Sequence, residues 1–219
     1  MLPLRWLALA HGVIALEVLL LGLHPYALLV IYYCAIVTDA VLNSLRILIV
    51  GVAGEPLGSR IGFSGPFSAL FFSLFVVGFF WSKFGTALLI AAFIVIGLPG
   101  FLAGAEGAEI LHLAHEEFSE RTGLILLGCG ALLLCQLFDF VCGFLLGRQF
   151  RSLRWWTLLL WPYVGLIAST VLLAAAALLA SQQRVLAPQS ALALLLVGAK
   201  LLVDVRIRRS DPAVGPATA

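Results

Sequence analysis

The chain has 219 residues, of which 63% are hydrophobic and only 11% are charged, whereas soluble domains carry roughly 25% charged residues and are about half apolar. With a mean hydropathy of +1.13, this composition excludes an ordinary soluble enzyme or a nucleic-acid-binding module and leaves the membrane class. The net charge of +2 is uninformative by its size; the placement of the charges carries the information.

In chain order, the first apolar run, 4–23, opens with Arg5 and resembles a signal peptide, but it lacks a small-x-small cleavage site and is interrupted by His11 and Glu17. A retained first transmembrane helix is expected, ending at Pro25. The second run, 26–50, is long enough to cross a bilayer and carries Asp39, Asn43 and Arg46 at i, i+4 and i+7. Helical geometry puts them on one stripe, with Tyr32 seven residues before Asp39. An ionised group at the bilayer centre costs at least ~2.5 kcal/mol, so the stripe must face other helices or a wet cavity.

The Gly-, Pro- and Ser-rich segment 54–66 reads as a water-exposed connection. A short Phe-dense span over 67–81, a turn at Ser82-Lys83 and a further span over 84–103 follow. The polar segment 105–121 has apolar residues at helical spacing and reads as an amphipathic surface helix or a continuation of the preceding span. A fifth span, 122–146, contains Gln136, Asp139 and a Gly143-xxx-Gly147 pair, a weak signal for close helix approach through which a homo-oligomer could form. A basic connection with Arg148, Arg151 and Arg154 leads into the sixth span, 157–180, where Pro162 predicts a kink. The seventh, 190–205, carries Lys200 and Asp204 at i, i+4. Residues 210–219 read as a disordered tail. The expectation is therefore an all-α polytopic bundle of about seven spans forming one domain over 1–209, with the lipid bilayer as its surroundings. The basic connection and the C-terminal arginines favour a multi-pass cell-membrane protein with a cytoplasmic C-terminus. In a seven-span arrangement the N-terminus and the acidic segment are then outside, and Arg46 and Arg60 oppose that assignment.

Several groups could carry chemistry. Asp39, Asn43, Arg46, Asp139, Lys200 and Asp204 are the candidate binding residues, since intramembrane charges often mark a substrate or ion path. The plainer reading pairs Asp39 with Arg46 or across helices with Lys200, and lets Lys200 neutralise itself on Asp204. Glu109, His112 and Glu116 share one helical face and could ligate a divalent metal, but a structural site needs about four ligands and a solvated polar face on a surface helix is the plainer reading. The cysteines Cys34, Cys129, Cys135 and Cys142 form no CxxC and read as packing residues. No phosphate loop or nucleophile elbow is present, and no cofactor is expected.

Two resemblances add to this. Glu116-Glu117-xxx-Arg121 looks like the EExxxR signature of CAAX-type intramembrane proteases, which implies a general base and a water activator at the glutamates. The family's later histidine motifs are absent after Arg121. The segments LLVIYYCAIVTDAVLNSLRILI, GRQFRS, Pro162-Tyr163 and PQSALALLLVGAKLLVDVRIRRSD resemble a family of bacterial and archaeal integral membrane proteins described only as a domain of unknown function. That resemblance implies a membrane helical bundle and no particular activity.

Overall fold

The computed structural model describes residues 2–23, 25–53, 66–97, 116, 119–147, 155–181 and 189–210. Among these residues there is no strand, and they form six helical rods. They are α1 (Leu2–Leu21), α2 (Pro25–Ala53), α3 (Pro66–Ala92, continued by a π-helical segment Phe93–Gly97), α4 (Thr122–Phe138, continued by a π-helical segment Asp139–Leu146), α5 (Trp155–Ser181) and α6 (Gln189–Ser210). The connections at 54–65 and 148–154, the tail 211–219 and most of the acidic segment 105–121 lie outside the described residues. Four rods contain stretches long and apolar enough to cross a membrane: Ala27–Ala53, Ser68–Val95, Thr122–Leu146 and Leu158–Ala175.

One expectation is corrected. Ser82 and Lys83 do not turn the chain but lie within α3, exposed on its surface. A helix stops where Pro, Gly or a cap removes the next hydrogen bond, and Ser82-Lys83 supplies none of these. The Thr86 hydroxyl donates to the Ser82 carbonyl at 2.8 Å, an ordinary in-helix bond.

The second helix is the hub, packing against α3, α4, α5 and α6, while α1 packs on α4 and α6. The contacts of α2 with α3 run antiparallel: the Tyr33 hydroxyl donates to the Leu88 carbonyl, and Trp81 Nε1 donates to Ser44 Oγ. Gly51 permits their closest approach, because a Cβ there would collide with the Ser73 side chain. At the other end of the bundle, Arg121 donates from Nη1 to the carbonyls of Leu21 and Gly22, both at 2.7 Å. It thereby satisfies oxygens that the end of α1 leaves open, where Gly22 turns with φ +65°.

Two apolar clusters form the interior. One joins α1, the first half of α2, the first half of α4 and α6, around Ile14, Leu28, Ile31, Tyr32 and Leu196. The other joins the second half of α2, α3, the end of α4 and the start of α5, around Ile47, Phe80, Phe84 and Phe144. The outer surface is apolar as well: Leu20 and Phe71 are each 76% exposed and Leu89 is 72% exposed. A surface of this kind is stable in hydrocarbon and a liability in water.

Candidate functional site

Where the two apolar clusters meet, they leave a cavity of about 130 Å³. Tyr32, Asp39 and Arg46 line it from α2, Cys135, Gln136 and Asp139 from α4, Pro162, Gly165 and Ser169 from α5, and Lys200 and Asp204 from α6. The periodicity behind this is plain. Tyr32, Asp39 and Arg46 recur every seven residues, Gln136 and Asp139 are three apart, and Lys200 and Asp204 are four apart, so each helix turns one polar stripe inward. The switch of α4 to π-helix at Asp139 resets the rotation of everything after it, a device common at functional positions.

Arg46 is the centre of one half of the cavity. Its side chain leans back toward the helix N-terminus, as helical side chains do, and so can reach a carboxylate two turns earlier. It lies 3.9 Å from Asp39 and 3.5 Å from Asp139. Its guanidinium stands 5.9 Å from the centroids of both Phe140 and Phe144, within cation–π range. Lys200 is the centre of the other half. It is buried, donates to Asp204 one turn on, and lies 5.8 Å above the Tyr32 ring. Asp204 is shared: His11 of α1 approaches its other oxygen at 3.5 Å, while His11 Nδ1 donates to the Leu7 carbonyl at 3.0 Å. The Tyr32 ring also stacks on His11 at 5.8 Å.

Five of the six candidate binding residues thus surround one cavity. Asn43, the sixth, does something else. Its Nδ2 donates at 2.7 Å to the Leu158 carbonyl of α5. That carbonyl is the one four residues before Pro162, which has no N–H to offer it. Asn43 therefore repairs the backbone defect that Pro162 introduces, and it does not line the cavity.

Sequence reasoning noted Gln136, Tyr32 and His11 without assigning them to a site. Gln136 donates from Nε2 to the Ala35 carbonyl at 2.9 Å, which sets its amide against α2 one turn before Asp39. Its spacing from Asp139 was the available signal. His11 carried none, because its contact with Asp204 is made across helices. Glu17 is buried on α1, with both carboxylate oxygens lacking a protein partner. It lies beside Gly128, where a Cβ would stand 3.2 Å from its Oε2, and is not part of the cavity lining.

The protease-like set comes out differently. Glu116 is exposed, and Arg121 holds the end of α1. Glu117 lies outside the described residues, as do Glu109 and His112 of the candidate metal set. His11 stands ten residues before Leu21 on α1, about 15 Å along the axis, from the carbonyls that bind Arg121.

A family model for a family of unknown function, DUF6498, matches residues 2–217, wider than the second-helix and late segments on which the resemblance was read. No curated protein matches the chain, and no solved structure does.

Proposed function

The chain belongs to the family of unknown function DUF6498, and from that premise we propose that it is a six-span integral membrane protein whose interior cavity is a transporter-like binding site for a small polar molecule. The observation that carries this reading is the convergence of Asp39, Arg46, Asp139, Lys200 and Asp204 on one cavity. Sealed ion pairs would serve a purely structural core. Here Asp39 keeps its side chain 48% exposed beside open volume, and buried charges adjoining a cavity are characteristic of substrate and ion paths.

Length and packing support six spans. At 1.5 Å per residue, the 20 residues of α1 and 22 of α6 extend about 30 Å or more, the thickness of a hydrocarbon core. Both pack along helices that are themselves long and apolar enough to cross. Six spans put both termini and the segments 54–65 and 148–154 on one side. Arg5, Arg60, Arg148, Arg151, Arg154 and the C-terminal arginines then share that side, and the acidic segment 105–121 lies opposite. The positive-inside rule assigns the arginine side to the cytoplasm. Arg46 and Arg60, which oppose a seven-span arrangement, agree with this one.

The test uses Cys135, which is buried and lines the cavity. Cys34, Cys129 and Cys142 are replaced by alanine, and the protein in lipid nanodiscs is exposed to hydroxyethyl methanethiosulfonate, a small uncharged polar thiol reagent. Modification of Cys135 in the folded protein is the expected result. A Cys135 that reacts only after unfolding would show a sealed structural core and end the binding-site reading.

A further inference from the structure

Among the described residues, the cavity leaves unmatched one pure acceptor, Gln136 Oε1, and one hydroxyl that can both donate and accept, that of Tyr32. Gln136 uses its amide nitrogen on the Ala35 carbonyl, and its Oε1 is buried without a partner. Tyr32 is fully buried, and its hydroxyl has no protein partner either. Among the described lining residues, three carboxylates, Asp39, Asp139 and Asp204, face two cations, Arg46 and Lys200. Lys200 is engaged by Asp204. Arg46 is divided between Asp139 at 3.5 Å and Asp39 at 3.9 Å, both longer than the roughly 2.7–2.9 Å of a charge-assisted hydrogen bond. Asp39 has the more distant share of Arg46 and the more exposed side chain of the two.

The missing partner is therefore a donor and a cation. Its size is bounded by the volume: about 130 Å³ is slightly less than the roughly 150 Å³ that holds benzene. Phe84 and Leu166 supply apolar lining to the same space. Resting on the proposed reading of the cavity as a binding site, we infer that its ligand is a small primary ammonium ion. Its N–H groups are directed at the Asp39 carboxylate of α2 and at Oε1 of Gln136, whose Nε2 is held on the Ala35 carbonyl one turn before Asp39, and its short alkyl part lies against Phe84 and Leu166. An anion would meet the surplus carboxylate, and a quaternary ammonium would bring no donors to the waiting acceptors.

Calorimetric titration of the purified full-length protein in nanodiscs, at constant ionic strength, tests this with ethylammonium, tetramethylammonium, sodium and propionate. Saturable ethylammonium binding is expected, at least tenfold tighter than the other three, and weakened at least tenfold by Asp39→Asn. Ethylammonium is also expected to protect Cys135 of the otherwise wild-type cavity from the thiol reagent, a readout that survives if Asp39→Asn fails to fold. Preferential binding of propionate or sodium, or full affinity in folded Asp39→Asn, overturns the inference. The two readings fail separately: an unreactive Cys135 removes the binding site itself, whereas a reactive Cys135 that ethylammonium neither protects nor binds removes only the ammonium assignment.

Discussion

At the scale of single residues, the interior is governed by donors and acceptors left over from helix formation. The Asn43–Leu158 bond exists because Pro162 cannot complete its own turn. Asn43→Ala is expected to lower stability by about 1–2 kcal/mol, read as a shift in thermal unfolding in detergent. Adding Pro162→Ala gives the Leu158 carbonyl its N–H back, so the double variant should recover most of that loss; an additive double variant would refute the pairing. The Lys200–Asp204 pair is open to the same logic. Removing one member of a buried pair leaves a charge uncompensated and typically costs about 3–5 kcal/mol, while replacing both with apolar residues is far milder. Lys200→Met and Asp204→Leu should each destabilise the protein strongly, and the double variant less than either. Asp39 poses the problem that sequence could frame but not settle, since Arg46 and Lys200 were both available to it. Lys200 is taken by Asp204, and Arg46 reaches back two turns to Asp39 while also serving Asp139.

At the scale of elements, periodicity located the helices and their polar faces but misread α3. Ser82-Lys83 is polar, and polarity reads as a turn; only a breaker or a cap ends a helix, and neither residue is one. The interface of α2 with α3 turns on the absence of a side chain at Gly51. Gly51→Ala would thrust a methyl group into Ser73, and overpacking of this kind costs about 1–3 kcal/mol. Removing the obstacle with Ser73→Gly should restore stability in the double variant. If Gly51→Ala unfolds at the wild-type temperature, the close approach of the two helices is wrong. Nothing in the sequence distinguishes Gly51 from glycines such as Gly78 or Gly85, where an added Cβ would meet nothing within 4 Å; contact with a neighbouring helix is what separates them.

At the scale of the whole molecule, the continuity of α3 through Ser82-Lys83 bears on the proposed span count, since merging two expected spans into one changes its parity. With seven spans the termini lie on opposite sides; with six they lie together. Reporter fusions at Met1 and Ala219, using a fluorescent protein active only in the cytoplasm and a phosphatase active only outside it, should report both termini as cytoplasmic. Opposite readings for the two ends would restore the seven-span arrangement.

Composition and periodicity alone determined that this chain is an all-α protein rich in membrane-length apolar helices, and which residues form the inward stripes of α2, α4 and α6. Both follow from local rules: the chain's apolar content and the 3.6-residue turn. Only the tertiary structure decided that those stripes meet around one cavity, that Asn43 leaves the set to mend α5, and that His11 is brought against Asp204. Such outcomes depend on the rotation and depth of one helix against another, and on which buried donors and acceptors are already used. Neither quantity is written in the spacing of residues along a single helix.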